Sequence, residues 1–123
     1  MGTTPKEETM KYALLIYPKD ARAEYDALSA DDQRAITEEY VAIGGSPGMY
    51  GGEQLQPAET ATTVRVEDSQ ALITDGPYAD TKEILGGFYL FEAASLDAAL
   101  EIAARVPAAR MGGAIEVRPL VER

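Results

Sequence analysis

The densest polar run in the sequence is residues 73–83, Ile-Thr-Asp-Gly-Pro-Tyr-Ala-Asp-Thr-Lys-Glu, which joins two apolar stretches. Asp75 stands at the end of the first stretch, where partial withdrawal from water would make its carboxylate a usable general base. Lys82, further along the run, is placed to pair with that carboxylate or to polarise a substrate oxygen. The same letters have a purely structural reading. Asp-Gly-Pro is ordinary turn chemistry, with the aspartate side chain bonding its own backbone.

The rest of the catalytic alphabet is short. The chain has neither cysteine nor histidine, which removes disulfides, thiol nucleophiles, imidazole metal ligands and the usual proton shuttle near neutral pH. A metal would have to be held by carboxylates alone, and there is no Asp-x-Asp-x-Asp-Gly loop, so no metal is expected. No dinucleotide fingerprint is present and no cofactor is expected. Five glycines between Gly44 and Gly52 invite a phosphate-loop reading. That run lacks the Gly-Lys-Ser/Thr ending and no apolar helical stripe follows it, so it reads as a flexible connection. Glu38 and Glu39 read as the solvated side of a helix. Glu116 and Arg118 alternate on one strand face, either as the polar lining of a cavity or as an ion pair at a dimer rim. Tyr17 either reaches that cavity or packs.

Charge narrows the partners. Twenty-one acidic residues against eleven basic ones leave a net charge of −10, and the basic residues are scattered rather than clustered. Such a surface repels phosphate backbones, so nucleic acid is not an expected partner. No apolar run approaches the roughly 18 residues needed to cross a bilayer, so no membrane association is expected. Residues 1–9 are polar, have no apolar signal-peptide core and read as a disordered extension; the expected location is the cytoplasm.

Residues 10–123 fit the size of one domain. Residues 10–17 read as a strand closed by Pro18, and residues 19–28 as holding a short helical turn. Ser29 caps a helix carrying Ile36, Tyr40 and Ile43 at helical spacing up to Gly44. A short strand is expected at 53–55, then a hairpin of residues 60–66 and 71–74 turning at Asp68-Ser69 and broken by Asp75-Gly76-Pro77. Residues 84–92 form the most apolar strand. Ser95 caps a second helix whose stripe of Leu96, Ala99, Leu100, Ala103 and Val106 ends at Pro107. Residues 114–121 form the last strand.

This order predicts an α+β, ferredoxin-like split βαβ fold with an inserted β-hairpin. Two helices cover one face of such a sheet, yet the first strand and the 84–92 strand are apolar on both faces. A second copy of the sheet would cover the remaining face, giving a homodimer built as a dimeric α/β barrel. Folding of the long loops over that face is the alternative.

Several segments in this order resemble one known family. They are Met10-Lys11-Tyr12-Ala13-Leu14-Leu15-Ile16-Tyr17, Gly51-Gly52-Glu53-Gln54-Leu55-Gln56-Pro57 and Ala61-Thr62-Thr63-Val64-Arg65. Thr74-Asp75-Gly76-Pro77-Tyr78-Ala79-Asp80-Thr81-Lys82-Glu83, Leu85-Gly86-Gly87-Phe88-Tyr89 and Glu116-Val117-Arg118-Pro119 complete the set. The pattern is similar to the YCII-related, or DGPF-domain, family. The resemblance implies a ferredoxin-like fold assembled as a dimeric α/β barrel, a site containing Asp75, and an association with extracytoplasmic-function sigma factors; it implies no general activity. Tyr78 replaces the motif's phenylalanine. The His-Asp pair proposed for the wider group has no counterpart in a chain without histidine.

Two functions follow. In the first, a small molecule is bound or transformed in a pocket near Asp75. There Asp75 is the base or anchor, Lys82 and Arg118 are electrophilic or anion-binding groups, and Tyr17 or Tyr78 positions the ligand. In the second, the protein does no chemistry and binds a partner such as a sigma factor, the acidic surface favouring a basic one.

Overall fold

The computed structural model describes residues 8–78 and 83–122. The expectations for residues 1–7 and for Lys82 lie outside the described residues.

The sheet is built from four strands: β1 (Met10–Tyr17), β2 (Met49–Gln54), β5 (Gly87–Ala93) and β6 (Ala114–Pro119), in the order β2-β5-β1-β6, every pair antiparallel. Helices α2 (Ala30–Gly44) and α3 (Leu96–Arg105) complete the ferredoxin-like α+β arrangement. Strands β3 (Thr62–Glu67) and β4 (Gln70–Asp75) pair with each other as a separate two-stranded sheet. Among the described residues no helix is long and apolar enough to cross a membrane.

Both helices start where hydroxyls cap them. The side chains of Ser29 and Ser95 accept from the backbone N–H groups of Asp32 and Ala98 at 3.1 and 3.2 Å, each satisfying one of the orphan donors of a first turn. The short α1 (Ala21–Asp26) begins in the same way, on the side chain of Asp20. At the other end of α3 the chain breaks at Val106, and Pro107 does not close the helical region. It opens a further short helix, α4 (Pro107–Arg110), at whose first position a missing N–H costs nothing.

Strand alternation decides what lies inside. Tyr12, Leu14 and Ile16 of β1 and Tyr89, Phe91 and Ala93 of β5 point to the helices and are buried with Ile43, Ala99, Ile102 and Val106. The register sets Leu14 between Tyr89 and Val117, at the middle of the sheet. On the opposite face the register brings Ala13, Leu15, Phe88 and Leu90 together, and all four stay partly exposed.

Several strand boundaries differ from the sequence reading, with the largest shifts at the starts of β5 and β2. The 84–92 strand begins only at Gly87. The glycine run is turn only over residues 45–48; from Met49 it is strand β2, which begins four residues before the short strand expected at 53–55 and pairs with β5 through a bulge between Met49 and Gly51. Glycine is what permits this. At Gly48, φ is +94° and a Cβ would lie 2.5 Å from the carbonyl of Glu92; at Gly52, φ is +148° and a Cβ would lie 2.6 Å from that of Phe88.

The shifted titrations lie on the helix side. Tyr89 donates its hydroxyl to the backbone carbonyl of Tyr40 at 2.7 Å. Burial pushes the Tyr89 phenol up to about 12 and raises that of Tyr40 as well. Both neutral phenols are favoured in the folded state. Their contribution is therefore complete below pH 10 and is lost as pH rises from there through about 12. Tyr89→Phe is expected to cost about 1 kcal/mol at pH 7 and to lose less stability than the wild type between pH 9 and 11.5, read from urea midpoints at the two values. Nearby, Arg110 grips Glu39 through two hydrogen bonds of 2.6 and 2.9 Å and holds its carboxyl below the usual range.

Candidate functional site

The β3–β4 hairpin is an arm. All six residues of β4 are exposed, and in β3 only Thr63 is half-buried. Its tip is a two-residue turn in which Asp68 and Ser69 both have positive φ (49° and 66°), the twist a tight hairpin needs. Its base is pinned by two hydrogen bonds of 2.7 Å: Gly76 N–H to the carbonyl of Ala61, and the Thr63 hydroxyl to the carbonyl of Gly76.

Register sorts the arm into two faces, because opposed residues of an antiparallel pair share a side. Thr62 with Asp75, Val64 with Ile73, and Val66 with Ala71 form one face; Thr63 with Thr74, Arg65 with Leu72, and Glu67 with Gln70 form the other. The second face is polar and engaged within the chain. Arg65 bonds Glu67 at 3.2 Å and lies 6.0 Å from the centre of the Tyr78 ring, a distance at which cation and ring still attract. The first face is apolar and bare: Val64, Val66 and Ile73 are 61%, 68% and 70% exposed.

Between the polar face and the end of the sheet lies an open cleft of about 530 Å³, lined among others by Tyr17, Leu55, Ala58, Thr63, Tyr78 and Leu85. Its walls are tied to the sheet by two backbone hydrogen bonds, Leu55 N–H to the carbonyl of Gly86 at 2.9 Å and Gly86 N–H to that of Ile16 at 2.8 Å. The volume is within the range of small-molecule sites. Apolar walls with two phenols and the hydroxyls of Thr60 and Thr63 suit a flat, largely apolar ligand with a hydrogen-bonding edge.

The sequence candidates divide accordingly. Tyr17 and Tyr78 come together in the cleft. Asp75 does not line it; its carboxylate stands on the arm's apolar face beside Thr62, exposed, and makes no hydrogen bond or ion pair among the described residues. Arg118 pairs with Glu116 on the open face of the four-stranded sheet. Glu92 lies across from Lys11 at the far end of that face, and the Lys11 ammonium sits 5.4 Å from the centre of the Tyr50 ring. Among the described residues no group of acidic side chains is placed to hold a metal. The cleft residues Leu55, Ala58, Thr63 and Leu85 were not among the sequence candidates. The one available signal was their position, apolar or small side chains flanking both ends of the hairpin.

Comparison with known proteins gives two findings. A family model described as "YCII-related domain" matches residues 10–123. The chain is also similar to an uncharacterized protein of Rhizobium meliloti (strain 1021), at 37% identity over 117 residues, covering 90% of this chain and 92% of that protein.

Proposed function

The chain belongs to the family of YCII-related domains, and from that premise we propose that it is a dimeric small-molecule-binding protein whose ligand occupies the cleft between the end of β1 and the β3–β4 arm. The observation that carries the reading is the convergence of Tyr17 and Tyr78, far apart in sequence, on one mostly apolar cleft beside the Asp75-Gly76-Pro77 turn. The ligand class follows from the walls and the charge. It is flat and largely apolar, offers a hydrogen-bonding edge to phenol and threonine hydroxyls, and is neutral or cationic, because a chain of net charge −10 disfavours an anion.

Dimerisation is supported by the sheet face that carries Ala13, Leu15, Phe88 and Leu90. The helices lie on the other side, and a contiguous apolar surface of this kind marks an interface. Stacked sheets sit about 10 Å apart with interleaved side chains, and the Lys11, Glu92, Glu116 and Arg118 charges then form the rim of such an interface. A partner-protein role such as sigma-factor binding leaves the cleft without a purpose, so ligand binding is preferred.

A thermal-shift and ligand-observed NMR screen of neutral, planar compounds tests the proposal. Hits are expected to raise Tm and to lose at least tenfold in affinity to Ala58→Trp, which fills the cleft from its single 3₁₀ turn. Equal binding by the wild type and Ala58→Trp contradicts the cleft as the site.

A further inference from the structure

The arm poses a problem of its own. A two-stranded hairpin is marginally stable in water unless something packs against it, and this one uses only its polar face within the chain. The face of Val64, Val66, Ala71 and Ile73 is turned away from the cleft and left to solvent. The cleft's remaining wall includes Tyr17, which alternates with Leu15 and Ala13 on the uncovered face of the sheet. The base of the arm therefore stands at the end of the sheet on the side of its open face, with the cleft between them and the arm's apolar face turned outward.

The area is also on the scale of a subunit contact. The chain exposes 9232 Å², whereas a compact chain of its mass exposes about 6,400 Å². Granting the twelve residues outside the description the values of a free chain, roughly 1,900 Å², and lowering the compact reference by about 450 Å² for their mass, leaves an excess of about 1,400 Å². A standard interface removes about 800 Å² from each partner.

We infer that the hairpin is an arm laid on a second copy of this chain, its face of Val64, Val66, Ala71 and Ile73 seated on the partner where the open sheet surface continues. The inference rests on the dimer proposed above and goes beyond it, because sheet stacking alone gives the arm no role. It also assigns Asp75 a place. At the base of the seated face beside Thr62, the motif carboxylate is presented to the second copy and not to its own cleft, so any site using it is completed across the interface.

Sedimentation equilibrium over a dilution series tests this on the full chain. Val64→Lys/Ile73→Lys is expected to raise the dimer Kd at least tenfold, although the added positive charge lowers the repulsion between two acidic chains. Gln70→Lys, on the polar face, is expected to leave Kd within twofold. A second measurement covers any loss of arm structure in the double variant. With no native cysteine in the chain, Val66→Cys carries a single nitroxide, and this chain is mixed with ¹⁵N-labelled wild type. Broadening of the labelled chain's β1 and β5 amides is expected. A dimer whose Kd is unchanged by the double lysine variant, or whose broadening falls on the helices or nowhere, overturns the arm inference and leaves the dimer standing. A wild type that is monomeric throughout removes both.

Discussion

Leu15→Glu is expected to convert the protein into a folded monomer. Leu15 lies at the centre of the open sheet face, opposite Phe88 on one side and Glu116 on the other, and it is only partly covered within the chain. In a two-fold dimer each substitution appears twice at the same interface. Each new carboxylate would have to be buried against apolar side chains near the existing Glu116, at a cost of several kcal/mol. Since about 1.4 kcal/mol is a tenfold change in Kd, the dimer should weaken at least a thousandfold. The core is on the other side of the strand, so circular dichroism and the monomer's unfolding should change little. Sedimentation velocity beside a urea titration reads both outcomes. A variant that remains dimeric contradicts the assignment of this face.

Leu14→Ala, one residue earlier, is expected to do the reverse and destabilise the fold by about 2–5 kcal/mol. Leu14 is fully buried, on a strand paired on both sides, with Tyr89 and Val117 as its cross-strand neighbours and the helices above it. Neighbours held by two ladders cannot collapse into the space, so most of the cavity cost is kept. For a domain whose total stability is of the order of 5–15 kcal/mol, that is a large fraction. It should appear as a lowered urea midpoint with an unchanged slope. The pair Leu14 and Leu15 thus separates folding from association at adjacent residues of one strand.

The contrast also shows what was legible beforehand. The dual character of β1 and β5 could be read directly, because period-two alternation assigns every side chain to a face without knowledge of the partner strands. Helices α2 and α3 were legible from the Ser29 and Ser95 caps. Strand β2 was not. Its residues Met49, Tyr50, Gly51 and Gly52 carry no alternation, and its place at the sheet edge comes from backbone pairing that glycine allows. The short α4 was hidden because Pro107 reads equally as a helix stop and a helix start.

The candidate site was legible in its parts and not in its arrangement. Asp75-Gly76-Pro77-Tyr78 stood out as polar turn residues, but which way Asp75 points depends on the hairpin register. Counting back from the Asp68-Ser69 turn pairs Asp75 with Thr62 and sets it beside Ile73 and Val64, on the face away from Tyr78. The meeting of Tyr17 with Tyr78 depends on how the arm folds over the end of the sheet, a long-range contact with no local signature.

The central claim is that the sheet face of Ala13, Leu15, Phe88 and Leu90 is closed by another copy of the chain. Sedimentation equilibrium of the wild type at micromolar concentration and moderate salt measures this directly. The expected result is a species of twice the 13.2 kDa chain mass that dissociates only on strong dilution. A single species of 13.2 kDa at every concentration would contradict it, and would take with it both the closed sheet face and the arm across the interface.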